Sequence, residues 1–350
     1  MFEMSDYDGH EAVHWFHDAA TGYRGLIAIH DSTLGPACGG TRMWAYVNSD
    51  AALTDALRLS KGMSYKNAMA ELPLGGGKAV IMGDARTQKS PALMRAHGRA
   101  IESLGGRYVT AMDVGMSEAD MELIAGVTRH VAGYAQPGKS GGDPSPMTAW
   151  GVFCGIRAAV KFMHGTEDLK GVRVALQGAG NVGYDTARHL KAAGARLVVA
   201  DVNPAHAQRA EALGAEIATP DAIHAADADV YAPCALGAVL NDSTIGEIKA
   251  KIVAGGANNQ LARPEIHGRA VMERGILYAP DYVINGGGII RVCGQIYGWA
   301  DETIRDKTER IGATLTEVFK AAKAERRPTH EVADRIARSR IESARQKKAA

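Results

Sequence analysis

A chain of 350 residues is longer than one hydrophobic core usually organises, so two domains are expected. With 46% hydrophobic residues, 23% charged residues and a formal net charge of +1, the composition argues against a disordered chain, a coiled coil and an electrostatic nucleic-acid binder. The one basic cluster, Arg345-Gln346-Lys347-Lys348, reads as a solvated helix end.

The four cysteines, Cys38, Cys154, Cys234 and Cys293, lack the paired spacing of a zinc site, and no metal is expected. The N-terminus has no apolar core of a signal peptide, and no uncharged run approaches the roughly 18 apolar residues of a membrane helix. A cytoplasmic protein with neither a membrane nor a nucleic-acid partner follows.

In chain order, residues 24–30 (RGLIAIH) predict a strand. A helix follows from Ser49 to about Gly62, capped by Ser49 or Asp50, with Ala52, Leu53, Ala56, Leu57 and Leu59 on an approximate 3.6 period. In LPLGGGKAVIMGD three glycines precede a β-branched run. The reading is a sharp turn into a strand that begins near Lys78, which places this lysine at the strand's edge.

Ser90-Pro91 opens a helix to about Leu104, and Tyr108 to Met112 reads as a strand ending in Asp113. Ser117 to Asp120 resembles a capping box. Gln136 to Pro146, rich in Gly, Pro and Ser, is the expected linker. Beyond it come a helix (148–163), a strand (172–177), a helix (181–194) and a strand (196–200). Further strands are expected at 229–231, 252–254 and 276–278, and helix from about Gly286 onward with a break at Pro328. Alternating strands and helices predict an α/β fold with two domains separated by a cleft: residues 1–139, residues 140–325, and a last helix, 326–350, that packs back on the first.

Gly178-Ala179-Gly180-Asn181-Val182-Gly183 matches GxGxxG directly after the strand VRVALQ and at a helix start. Gly178 suits a tight turn, Gly180 a close backbone approach to a pyrophosphate and Gly183 helix–strand packing, with the pyrophosphate on the helix N-terminus. Asp201 ends the next strand, where a carboxylate bonds the adenosine ribose and repels a 2′-phosphate, which favours NAD over NADP. The competing reading is a plain glycine turn with Asp201 capping the following helix.

Lys66 in GMSYKNAMA and Lys78 in LGGGKAVI are flanked by apolar or small residues, unlike most solvated lysines. Each alone also fits a surface lysine at an element's end. With Asp113 they form a candidate amine-handling site. A cation holds a substrate carboxylate, a lysine whose pKa is depressed by burial and a second cation activates water, and a carboxylate exchanges protons with the amine.

The strings HDSTLGPACGGTRMW, GMSYKNA, LPLGGGKAVI, TAMDVG, GDPSP, AGGANNQL and YAPDYVINGGG, in order along nearly the whole chain, resemble the leucine, valine and phenylalanine dehydrogenases of the amino-acid dehydrogenase superfamily. The resemblance implies Lys78 as the base that activates water, Lys66 as partner of the substrate α-carboxylate and Asp113 as the group exchanging protons with the amine. It implies Gly39 and Gly40 in a loop approaching the carboxylate, and Asn258 or Asn259 near the nicotinamide ribose. Asn181, Val182 and Thr148 join the implied cofactor set. A left-handed loop geometry for Asn258 is the alternative to a cofactor contact.

The same resemblance implies a side-chain pocket of Cys38, Ala111, Ile289 and Val292. These residues are small or aliphatic and offer no cation for a glutamate carboxylate. Branched-chain substrates, L-leucine, valine and isoleucine, are therefore expected to give 2-oxo acid and ammonium in a homo-oligomer, an octamer or dimer by analogy. Cys38 is smaller than the residue usual in leucine-specific relatives, and Gly256 and Gly286 stand where alanine is common. The alternatives are an aromatic amino-acid dehydrogenase, a 2-hydroxy acid dehydrogenase and a catalytically silent NAD-binding regulator.

Overall fold

The computed structural model describes residues 1–135 and 142–349. The boundary expected at 139/140 and most of the linker expected from Gln136 fall outside them. The chain divides into two compact units, one of Met1–Asp143, Arg291–Asp301 and Ala337–Ala350, the other of Pro144–Ile290 and Glu302–Ile336.

The first unit is built on one mixed sheet. Strands β1 (Ala12–Asp18), β2 (Tyr23–Asp31), β3 (Ala37–Trp44), β4 (Gly75–Met82) and β5 (Tyr108–Met112) lie in the order β1-β2-β4-β3-β5. β2 is antiparallel to both β1 and β4, whereas β3 runs parallel to β4 and β5. The period of two along β2 divides the core. Leu26 and Ala28 pack with Ala52, Leu53, Ala56 and Leu57 of α1 (Ser49–Met69), while Ile27 and Ile29 join Leu93, Met94 and Ile101 of α2 (Pro91–Glu102) and Met121 and Ile124 of α3 (Glu118–Ala125). Each large apolar side chain buried there contributes about 1.5–3 kcal/mol.

Three local expectations need correction. The cap of α1 is Asn48, whose side chain accepts from the Ala51 amide at 2.8 Å, and the helix runs on through Lys66 to Met69. The glycine triplet is no turn: Gly75, Gly76 and Gly77 are the first residues of β4, so Lys78 sits within a strand between β2 and β3. The physical reason is packing. A Cβ on Gly76 would lie 2.1 Å from Ser64 Oγ of α1, and one on Gly77 would lie 2.8 Å from the Tyr108 ring. Gly39 and Gly40 likewise belong to strand β3 rather than to a loop.

The second unit holds a wholly parallel sheet. It comprises β6 (Arg173–Gln177), β7 (Arg196–Ala200), β8 (Glu216–Ile217), β9 (Val230–Pro233), β10 (Ile252–Val253) and β11 (Leu277–Tyr278), ordered β11-β10-β9-β6-β7-β8. The connecting helices are α4 (Ser145–His164), α5 (Asn181–Ala192), α6 (Pro204–Glu211), α7 (Pro264–Glu273) and α8 (Asp281–Ile284). Helices α9 (Gly287–Tyr297), α10 (Asp301–Glu325) and α11 (Thr329–Ala349) follow. The strand order reverses at β6, which has β7 on one side and β9 on the other. In doubly wound sheets that reversal is where ligands bind, beyond the carboxyl ends of the strands. Among the described residues no helix is long and apolar enough to cross a membrane.

Candidate active site

Lys78 is only 5% exposed, and a charge so deep in a sheet requires a partner. It has one: its ammonium donates to Asp113 Oδ2, just beyond β5. The register explains the meeting. Thr41 of β3 stands opposite Met112 of β5, the residues just before Arg42 and Asp113, and β3 also pairs with β4, the strand of Lys78.

Arg42 Nε donates to the same Asp113 oxygen at 3.2 Å, and its Nη1 donates to both oxygens of Asp55 on α1 at 3.0 and 3.3 Å. Tyr46 completes the group by donating to Asp55 at 2.5 Å. Burial drives the Lys78 pKa down against the pull of Asp113, and the Arg42 guanidinium pushes the same way as burial. Burial alone would raise Asp113, but Lys78 and Arg42 together outweigh it and hold the carboxyl below its ordinary value. The site therefore couples an anionic carboxylate to a lysine whose pKa burial and Arg42 lower from its ordinary value. The second cation anticipated from the sequence is Arg42, which sequence reasoning passed over. Had ACGGTRMW been recognised as a strand, alternation would have put Arg42 on the face of Gly40, beside Asp113.

The glycines of this unit set how closely its elements approach. A Cβ on Gly39 would sit 1.8 Å from the Gly77 carbonyl oxygen and 3.2 Å from Met63 Cγ, and one on Gly40 would sit 2.8 Å from the Asp113 Cβ. The α1 segment that carries Lys66 lies on these strands. Ser64 abuts Gly76, Asn67 donates to the Gly75 carbonyl at 2.6 Å, and Lys66 is half-buried in the last turn between them. Beneath, a wholly buried polar chain ties the strands to α2: Tyr23 OH and Thr41 Oγ1 bond the two nitrogens of His97, each at 2.8 Å, and Thr41 meets Thr110 at 2.6 Å. Burial pushes the His97 pKa down to about 3, so the ring is neutral.

Of the expected side-chain pocket, Cys38 and Ala111 are buried on neighbouring strands, and Val292 is buried on α9. Ile289, half-buried and three residues earlier on that helix, belongs to the second unit, whereas Val292 belongs to the first. The Cys38 thiol is pushed up to about 12 by burial and by the neighbouring Cys293, so it is uncharged.

In the second unit the glycine motif follows β6 directly. Gly178 has φ +91, and a Cβ there would meet the Ala235 Cβ at 2.6 Å. A Cβ on Gly183 would lie 1.9 Å from the Gly178 carbonyl oxygen. Nothing lies within 4 Å of a Cβ on Gly180, the N-cap of α5, and no side chain caps that helix end, which Asn181 and Val182 begin. The result is an open cradle of amides suited to a diphosphate.

Asp201 follows β7 and accepts from the amides of Ala179 at 2.6 Å and Asn203 at 2.7 Å. Burial opposes ionisation, but these amides and His206 lower its pKa overall. It therefore ties the glycine turn to the end of β7, while the cap of α6 is Asn203, not Asp201. Thr148 lies in the first turn of α4 and turns its hydroxyl back to the Pro144 carbonyl at 3.1 Å. Asn258 is exposed and accepts from buried Asn285 Nδ2 at 2.7 Å; the left-handed residue of this loop is its neighbour Asn259, with φ +52. Asn285 is a second site-supporting residue that sequence reasoning missed.

Residues 10–130 match the family profile described as Glu/Leu/Phe/Val dehydrogenase, dimerisation domain, and residues 141–205 and 204–349 match that of glutamate/leucine/phenylalanine/valine dehydrogenase. The chain belongs to this amino-acid dehydrogenase family. It is 49% identical to leucine dehydrogenase of Bacillus subtilis over 343 residues, 98% of this chain and 94% of that protein. It is 45% identical to valine dehydrogenase of Streptomyces albus over 345 residues, 97% of this chain and 94% of that one. The crystal structure of L-tryptophan dehydrogenase from Nostoc punctiforme superimposes with a TM-score of 0.87 at 42% identity, covering 96% of this chain and 97% of that one. As a member of an amino-acid dehydrogenase family the chain is an oxidoreductase, and its Rossmann-type sheet is the nucleotide-binding part.

Proposed function

We propose that this dehydrogenase oxidises branched-chain L-amino acids with NAD, releasing the 2-oxo acid and ammonium. The observation that carries the reading is the buried Lys78 joined to Asp113 with Arg42 alongside. The likeness to leucine and valine dehydrogenases supports the substrate class.

In this reading Lys66 pairs with the substrate α-carboxylate, near the backbone of Gly39 and Gly40. Asp113 takes a proton from the substrate ammonium. A nicotinamide cofactor held at the glycine turn would supply the acceptor for the hydride that leaves the substrate Cα. Lys78, as the neutral amine, removes a proton from the water that attacks the resulting iminium carbon, and Asp113 returns a proton to the departing nitrogen.

The open cradle at Gly180, within the turn of Gly178, Asn181, Val182 and Gly183, fits a dinucleotide diphosphate, and Thr148 and Asn258 are the further residues proposed to contact the cofactor. The anionic Asp201 supports NAD over NADP, because a 2′-phosphate would meet a like charge. Cys38, Ala111 and Val292 of the first unit supply uncharged side chains for an aliphatic substrate, and Ile289 is the aliphatic candidate carried by the second unit. The first unit is the substrate half, and the protein is a cytoplasmic homo-oligomer in keeping with the dimerisation-domain profile it matches.

A panel of the twenty amino acids with NAD or NADP, read by nicotinamide absorbance, tests this. Leucine, valine and isoleucine with NAD are expected to give the highest kcat/KM, and the reverse reaction to require ammonium. Faster turnover of phenylalanine or tryptophan would replace the substrate assignment, preference for NADP would end the role of Asp201, and reduction without ammonium would indicate a 2-hydroxy acid enzyme.

A further inference from the structure

Arg42 touches the proposed proton-transfer pair yet has no part in the chemistry just described. Two of its three nitrogens are spent on two different carboxylates: Nη1 grips both oxygens of Asp55, and Nε reaches Asp113 Oδ2. Tyr46, whose hydroxyl burial and Asp55 keep protonated, holds Asp55 from the far side. The guanidinium is thus clamped before it meets Asp113.

Both Lys78 and Arg42 take Oδ2 of Asp113, and neither reaches Oδ1. The proposed cycle requires Lys78 to alternate between ammonium and amine. As the amine it no longer holds Asp113 by charge, which leaves Arg42 and the Val114 amide to fix the carboxylate. Arginine does not titrate in this range, so its grip persists through that half of the cycle.

We propose that Arg42, clamped by Asp55 and Tyr46, is a positioning residue that holds the Asp113 carboxylate by Oδ2 so that Oδ1 stays turned to the substrate amino group whichever protonation state Lys78 is in. The inference rests on the deamination reading. The charged and titratable groups around Arg42 are Asp55 of α1, Tyr46 after β3, Lys78 of β4 and Asp113 after β5, and no step requires Arg42 itself to lose a proton.

The test uses the full-length enzyme with Arg42→Met, Arg42→Lys and Tyr46→Phe, measuring kcat, KM, the pH profile of kcat/KM for L-leucine, and NADH binding. Arg42→Met is expected to lower kcat about 100-fold, the scale of misplacing a reacting group by an ångström, with NADH binding retained. Removing a cation beside Lys78 raises the lysine's pKa, so the ascending limb of the profile moves to higher pH. Arg42→Lys restores the charge and returns the limb toward its original position. It recovers only part of kcat, because an ammonium lacks the fork that reaches both carboxylates. Tyr46→Phe costs about tenfold or less, the worth of one hydrogen bond.

A merely structural role would lower the melting temperature and the active fraction while leaving the limb and the kcat-to-KM split of the surviving enzyme unchanged, and that result overturns the proposal. If Arg42→Met does not fold, wild-type kcat and profile in both Arg42→Lys and Tyr46→Phe do the same. A wild-type enzyme that turns over no L-amino acid defeats the deamination reading itself. An active wild type with indifferent Arg42 variants defeats only the positioning role.

Discussion

The two units use glycine to opposite ends. In the first, glycines at 39, 40, 76 and 77 let a helix and strands approach so closely that charged side chains are held inside a sheet: Lys78, Asp113 and Arg42 meet beneath α1. In the second, glycines at 178, 180 and 183 bare the backbone, and the charge-binding groups are amides at the start of α5. Chemistry that moves protons needs titratable side chains with shifted pKa values, which burial supplies. Holding a diphosphate needs only oriented dipoles, which a turn supplies.

The largest effect is expected at the buried lysine. Lys78→Ala should lower kcat by about three orders of magnitude, within the range for removing a general base, while NADH titrated by fluorescence binds as before. Turnover near that of the wild type would collapse the distinction between the units.

Next come the glycines that make room. Gly76→Ala and Gly183→Ala each place a methyl within about 2 Å of backbone or side-chain atoms, and each should cost several kcal/mol of stability in denaturant unfolding, by roughly the cost of overpacking or more. Gly180→Ala sharpens the contrast, because its methyl meets nothing within 4 Å. Its unfolding midpoint should stay nearly unchanged while NADH binding weakens about tenfold; a drop in stability with unchanged binding would reverse the assignment of an open cradle.

The last effect is graded over a pH window. His97 has a folded-state pKa of about 3 against 6.5 for the free side chain, so the unfolded chain binds the proton more readily. The stability tied to keeping it neutral is fully present above pH 6.5 and is lost as pH falls toward 3, by at most about 1.4 kcal/mol per pH unit. Acid unfolding curves for His97→Gln should show a shallower loss over that window; an unchanged slope would mean that other groups dominate.

The cofactor half was readable because its pieces are adjacent in the chain. Strand, turn, helix and Asp201 fall between Arg173 and Asp201, and each is specified by residues a few positions apart. The first unit was readable only in its parts. Tyr108 to Met112 stood out as a strand and Lys78 as an unusual lysine, but the three glycines before Lys78 read as a turn, and the resemblance implied a loop at Gly39 and Gly40. Glycine disfavours strands by local preference, and what overrides it here is α1 and Tyr108 packing where side chains would otherwise be.

The sequence by itself determined the α/β class, the family, the glycine cradle and the identity of Lys78 and Asp113 as a candidate pair. The class and the glycine cradle follow from composition, period and short-range spacing, whereas the family and the roles of Lys78 and Asp113 were implied by the strings that resemble known dehydrogenases. Tertiary structure alone decided that Lys78 lies mid-strand, that Arg42 is the second cation and that Asp55 and Tyr46 clamp it. Those contacts join β3, α1, β4 and the end of β5, and a one-residue change of register between strands would turn Arg42 away from Asp113. Register is set by how the sheet packs as a whole, which no local stretch of residues encodes.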